Sequence, residues 1–438
     1  MNISIVSVFP ELFEPFIHTS LIKRAQQKGL LSIDLHSFFS FVEPKKRIDA
    51  PAFGPGAGML IKPEVVERAV DHCTQKRGAP YTIFFSPHGK KLDQDLCKQI
   101  AHKALQKEHM LLLPARYEGM DARAEQLYAD EIISIGDYVL MGGDLPAMVF
   151  LESILRYMPG VVGKEASVEH DSFSGPFVDW PSYTEPVEWH GKKVPDVLRS
   201  GNHKAIDDWR HAQAAQRTVK QHFGWLKTHV SQKKDKERAA TYIPSHYVAL
   251  CHTDVLVGSE RVPGTTSVTS LDVHDIARSC KTFGIKGYSI VTPLADQQRI
   301  VQKLLDFWRS DVGIDYNPQR HGALGLVDMH DTVDQVVAAI TEKEGVAPIV
   351  LATSARQEVQ EKQITFFDQA KVWASGRPVL LLFGTGQGLS NERMQQVDYV
   401  LVPVEGMTDF NHLSVRSAAA IVLDRWLGLN VKNGLEKQ

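Results

Sequence analysis

The chain has 438 residues, 43% hydrophobic and 23% charged, with a net charge of −3. At roughly 100–200 residues per domain it predicts two to four domains, each large enough to bury a core without disulfide or metal staples, and the apolar fraction excludes global disorder. No apolar run reaches the roughly 18 residues of a membrane span, and the four cysteines (Cys73, Cys97, Cys251, Cys280) form no CxxC pair, which argues against a disulfide framework or a cysteine zinc site and fits a reducing cytoplasm.

The first residues, MNISIVSVFPELF, lack a basic stretch ahead of their apolar ones and read as a first strand, not a signal peptide. Strand-like runs follow at 31–38, 81–86, 109–115 and 131–136, with helix-like runs at 63–76, 92–106 and 146–158. The stretch 159–180 is rich in Gly, Pro and Ser and reads as a long loop of the kind that carries function. Residues 190–244 hold 12 Lys and Arg against 5 Asp and Glu, a basic island in an otherwise acidic chain. A solvated helix face is the plain explanation; a phosphate-contacting element is the sharper one. A charged stretch at 231–240 ends at Pro244, so a domain boundary is expected near 240–245. A new strand pattern begins at 247–257, and further strands are expected at 288–293, 322–329, 347–354, 378–384 and 398–404, with helices between them. The alternation predicts an α/β protein with parallel sheets covered by helices and ligands held beyond the strand carboxyl ends.

Glycine-bearing turns follow several strands: FGPGAGML (53–60), ARYEGMD (115–121), SIGDYVLMGGDLP (134–146) and FGTGQGLS (383–390). None closes with GK[ST], so none is a P-loop, and the missing G-x-G-x-x-G disfavours a nicotinamide-dependent Rossmann enzyme. His170, His190 and His203 lack metal-ligand spacing.

Five motifs in order, SPHGKKLDQ (86–94), RYEGMDAR (116–123), SIGDYVLMGGDLPAM (134–148), GKEASVEHDSF (163–173) and SGNHKAIDDWR (200–210), resemble the bacterial tRNA guanine-N1 methyltransferases of the TrmD type over residues 1–230. The resemblance implies a trefoil-knotted SPOUT fold, S-adenosyl-methionine as methyl donor, Mg2+ dependence, a homodimer, and a tRNA substrate methylated on the guanine just 3′ of the anticodon. Carried over by position, the donor site would be formed by Ser86, Pro87, Ala115, Tyr117, Glu118, Gly119, Ile135, Gly136, Asp137, Tyr138, Val139, Leu140, Gly142 and Gly143. The family usually has Gly where this chain has Ala115. Losing the guanine N1 proton spreads negative charge to O6, which calls for a base and a cation. By resemblance these are Asp171 and Arg156, and Glu118 and Asp171 are the Mg2+ ligands. The basic segment then becomes a helical subdomain that grips tRNA.

The second half resembles SPOUT RNA methyltransferases through ATSAR (352–356), FGTGQGLS (383–390) and EGMTDFNHLSVRSAAAI (405–421). Its donor site would include Thr353, Gly384, Thr385, Gly386, Gly388, Leu413 and Ser414. DIARSCKTFGIKG (275–287) is similar to the first motif of the TrmH group, which methylates ribose 2′-oxygens and would make Arg278 catalytic. Asp272 stands where that group has asparagine. The expected organisation is a SPOUT domain at 1–160, a loop at 161–176, a helical tRNA-binding subdomain at 177–240 and a second SPOUT domain at 245–438. The alternative for the last is a silent RNA-docking or dimerisation module.

Overall fold

The computed structural model describes residues 1–55, 58–162, 171–356 and 362–431. Half of the loop expected at 161–176 therefore lies outside the described residues, as do His170, part of the first glycine turn and the last seven residues. The chain divides into two compact units, Met1–Ser174 and Gly175–Gln438.

In the first unit five parallel strands run β1 (Asn2–Ser7), β2 (Ser32–Ser37), β3 (Tyr81–Lys91), β4 (His109–Pro114) and β5 (Glu131–Ser134), with spatial order β2-β1-β4-β3-β5. Alternation along β4 feeds two cores. Met110 and Leu112 join Ile3, Ile83 and Phe150 in one layer, while Leu111 and Leu113 join Val6, Phe84 and Val66 in the other. Full burial of each such leucine contributes about 1.5–3 kcal/mol. The first layer is covered by α2 (Gln94–Lys107) and α3 (Asp144–Leu155), the second by α1 (Pro63–Arg77). Local chemistry sets the ends: Pro63 opens α1, Gly78 closes it at φ +84°, and the Asp93 carboxylate caps α2 at Leu96 N.

The second unit begins with a basic helical segment, α4 (His203–Gln221), α5 (Phe223–His229) and α6 (Lys233–Ala240). A parallel seven-stranded sheet follows, from β6 (His246–Cys251), β9 (Gly287–Val291), β10 (Val327–His330), β11 (Ile349–Thr353), β12 (Gln363–Ile364), β13 (Val379–Gly384) and β14 (Tyr399–Leu401), in the order β10-β9-β6-β13-β11-β14-β12. Between β6 and β9 lies an antiparallel hairpin, β7 (Val255–Val257) and β8 (Val262–Gly264), then α7 (Ser270–Thr282). Near the end come α8 (Gln369–Trp373) and α9 (Val415–Leu427).

Two details differ from the sequence pattern. The run expected as one strand at 247–257 is broken, because Asp254 turns at φ +56°. The strand expected at 322–329 starts only at Val327, since Pro318–Leu324 is a helix capped by Asn317. The division between units also falls earlier than the boundary expected near 240–245. Val219, Phe223, Leu226, Val230 and Ala239 of the basic segment share one core with Val248, Leu381, Trp373 and Trp426. No described helix is long and apolar enough to cross a membrane.

Candidate functional site

In the first unit β4, β3 and β5 are neighbours, so the turns that follow them meet at one edge of the sheet. Phe85 and Lys90 both pair with Ile133, and residues 86–89 bulge out between them. There Ser86 Oγ lies 2.6 Å from His88 Nδ1, and His88 Nε2 lies 3.4 Å from Glu125, whose carboxyl is raised by burial against the opposing pull of His88. The second turn carries Tyr117 at φ +59° and Gly119 at φ +114°. The third, Ile135–Gly143, closes on it: Gly143 N donates to Ala115 O at 2.7 Å, and a Cβ on Gly143 would lie 2.8 Å from Ala115 N. Only glycine permits that approach. Ala115, where the resemblance has glycine, packs on the adjacent core.

A part-buried ion pair fastens these turns. Asp144, 2% exposed, accepts from Arg116 Nε and from Ser7 Oγ, each at 2.6 Å. Arg116 also donates to Met141 O at 3.4 Å. Sequence reasoning did not single out these three residues. Arg116 and Asp144 stand inside quoted motifs, but nothing local announces their pairing. By contrast Tyr138, Val139, Leu140 and Met141 are exposed, Val139 at 84% and Met141 at 91%.

Arg156 is the C-cap of α3, and its guanidinium donates directly to the Asp171 carboxylate. The two residues expected as cation and base thus meet. The Glu118 side chain lies over Gly58, where a Cβ would be 2.2 Å from Glu118 Cγ. Among the described residues no three or more His, Cys, Asp or Glu gather as a metal site.

The second unit holds a cavity of about 880 Å³. Thr353, Gly384, Thr385, Gly386, Gly388, Leu413 and Ser414 all line it, so the structure brings together the whole expected set. Gly386 (φ +59°) is pressed against the β7–β8 hairpin, a Cβ there falling 2.7 Å from Leu256 O. Leu256 N donates to Gly388 O and Gln387 N to Leu256 O, holding hairpin and turn together. Ser414 caps α9. Thr385 Oγ1 donates to Cys251 O, so it accepts from Thr266 Oγ1 at 2.5 Å, and Thr266 in turn accepts from His252 Nδ1 at 3.0 Å. Burial pushes His252 down to about 4, with Asp272 opposing, which keeps the ring neutral. Arg278 is not among the lining residues; Arg261, Arg356 and Arg416 are. Arg356 is committed to Asn391 and Leu389 O.

Two family comparisons match the two halves. A model described as tRNA (Guanine-1)-methyltransferase TrmD matches residues 1–228, and one described as SAM-dependent RNA methyltransferase matches residues 245–428. The chain is 35% identical to a protein named tRNA (guanine-N(1)-)-methyltransferase from Oleidesulfovibrio alaskensis, over 98% of this chain and 99% of that one. A relative of the same name from Nitratidesulfovibrio vulgaris is also 35% identical over 98% and 99%. One from Carboxydothermus hydrogenoformans is 39% identical but matches only 54% of this chain, over 91% of its own length.

Proposed function

The chain belongs to the tRNA (guanine-N1)-methyltransferase family and carries a second, SAM-dependent RNA methyltransferase domain, and on that basis we propose how its two sites divide the work. The first unit methylates N1 of the guanine 3′ of the anticodon, and the second methylates RNA at its own pocket. The observation that carries the pairing is the convergence, in each unit, of glycine turns beyond the ends of parallel strands. In the first unit the turns are those of Ser86–Gly89, Ala115–Gly119 and Ile135–Gly143; in the second they include Gly384–Gly388.

S-adenosyl-methionine supplies the electrophilic methyl. The turns fit it: Gly143 and Gly386 let them lock directly onto neighbouring backbone at Ala115 and Leu256, and the second cavity, about 880 Å³, has room for a nucleoside-sized donor. In the first unit Asp171 accepts the guanine N1 proton and Arg156 stabilises the charge that moves to O6. Their present ion pair stores both groups in one place, and guanine entry exchanges the Arg156–Asp171 contact for Arg156–O6. Ser7, Arg116 and Asp144 position the cofactor turns without touching the reacting atoms. The residues present do not fit the expected Mg2+ as a protein cage. Asp171 is engaged by Arg156, and among the described residues no three or more His, Cys, Asp or Glu gather around a place for a metal ion.

The exposed apolar run Tyr138–Met141 suits a homodimer that covers it. The basic segment suits the tRNA backbone; the Arg210 guanidinium already stacks 5.2 Å over the Trp180 ring, in the manner of base-stacking surfaces. Four free, buried cysteines suit the cytoplasm. Both sheets being parallel and turn-rich suits the knotted SPOUT topology. The ribose 2′-oxygen chemistry implied by resemblance depended on Arg278, which lies outside the lining of the second pocket. Calorimetry with S-adenosyl-methionine tests the division. Two sites per chain are expected; a single site per chain would return the second unit to an RNA-docking role.

A further inference from the structure

The lining of the second pocket has two chemistries. Thr353, the 384–388 turn, Leu413 and Ser414 are accounted for by the methyl donor. The hairpin tip contributes Arg261, the connection into α7 contributes Ser267, the first turn of α7 contributes Asp272, and the first turn of α9 contributes Arg416. None of these four belongs to the set expected at the donor.

Asp272 is 7% exposed. Its Oδ2 accepts from the Thr269 hydroxyl at 2.6 Å, and its Oδ1 lies 3.3 Å from Arg416 Nη1. Arg416 Nε lies 3.9 Å from Asp275. Helix capping explains part of this, since Thr269 is the N-cap of α7 and takes Asp272 N. It does not explain Oδ1, which is turned to the arginine. A carboxylate has about four acceptor positions, so one held by a single hydroxyl and one long guanidinium contact keeps capacity for a further proton donor. Arg261 adds a cation from the hairpin tip, with no hydrogen bond or ion pair from its side chain among the described residues.

We propose that Asp272 and Arg416 form the acceptor subsite of the second pocket, and that the acceptor is a nucleobase ring N–H flanked by a carbonyl, not a ribose hydroxyl. This rests on reading the pocket as a methyl-donor site. As the new N–C bond forms and the donor's S–C bond breaks, the sulfur keeps the electron pair of the broken bond. The ring N–H proton passes to the Asp272 carboxylate. An N–H beside a carbonyl is weakly acidic because its charge delocalises to the oxygen, and Arg416 supplies a permanently charged planar donor for that oxygen. An alcohol lacks both the acidity and the neighbouring oxygen, so a carboxylate is poorly matched to it as a base. Arg261 is free for the phosphate of the same nucleotide, a contact that positions without reading sequence.

The test uses the full chain with Asp171→Ala, which slows the first site, and counts for the second pocket only those products that are lost when Asp272→Asn is added. It is incubated with radiolabelled S-adenosyl-methionine and unmodified transcripts of a tRNA pool and of ribosomal RNA, and products are digested to nucleosides and separated. Base-methylated nucleosides are expected. Adding Asp272→Asn should reduce their formation by roughly 10²–10⁴-fold, the usual range for loss of a general base. Donor affinity at the second pocket should stay unchanged, which also reports that the variant is folded. Arg416→Lys should lower the rate with the same donor affinity. Ribose-methylated nucleosides, undiminished transfer by Asp272→Asn, or no transfer to either RNA with both pockets loaded would each overturn the proposal while leaving the donor site standing. Failure of the second pocket to bind the donor at all would overturn the underlying reading and this proposal with it.

Discussion

His246 offers a quantitative check on the second unit. It begins β6, is 2% exposed, and its Nδ1 donates to Pro244 O at 2.7 Å. Its Nε2 faces two indole N–H groups, Trp373 at 3.3 Å and Trp426 at 3.0 Å. An indole N–H can only donate, so Nε2 must hold a lone pair and the ring must be neutral. Burial accordingly pulls its pKa from 6.5 down to about 4, the Pro244 carbonyl opposing. Between those values the unfolded chain binds a proton that the folded chain refuses. The contribution to stability is therefore complete above pH 6.5 and is lost as pH falls toward 4. At about 1.4 kcal/mol per pH unit the full window is worth about 3 kcal/mol, against a typical domain stability of roughly 5–15 kcal/mol. His252, also drawn down to about 4, acts in the same direction, so one substitution should remove part of the slope and not all of it. The perturbation is His246→Gln, whose amide can donate to Pro244 and accept from an indole but does not titrate. Urea unfolding of the full chain at several pH values between 4.5 and 7, followed by tryptophan fluorescence, gives the slopes. The wild type should lose stability faster than the variant on acidification, by up to one proton's worth. Parallel slopes, or an NMR titration of His246 centred near 6.5, would refute the reasoning.

Two further outcomes concern the first unit. Asp171→Asn should slow guanine N1 methylation by roughly 10²–10⁴-fold in single-turnover kinetics with donor affinity nearly unchanged, and near-normal transfer would remove Asp171 from the chemistry. Asp144→Ala strands Arg116 and frees the turns at 116–119 and 135–143. Calorimetry should therefore show weaker donor binding than in the wild type at the first site alone, and wild-type affinity at both sites would deny the positioning role.

Strands such as His109–Pro114 and Val379–Gly384 were legible because they are apolar on both faces, and the cofactor turns because each is contiguous in sequence. What escaped was non-local or conformational. The Ser7–Asp144 bond spans 137 residues and Arg116–Asp144 spans 28, distances over which periodicity carries no information. Asp254 gave no warning of a positive φ inside an apolar run. Arg278 lies six residues beyond Asp272 on α7, about 600° of helical rotation, so a residue at one face of the pocket does not bring the other with it. Arg416, by contrast, reaches Asp272 from 144 residues away.

The TrmD match ends at residue 228, yet Val219, Phe223 and Leu226 are core residues of the second unit. These helices thus fall within the TrmD match and are buried by the second unit. Phe223 stands edge-on to Trp373, with ring centroids 4.8 Å apart. A recombinant first half cut at residue 228 or 240 would carry that greasy face into water, and would aggregate or recruit a surrogate cover. The same cut leaves the other half with Trp373 uncapped.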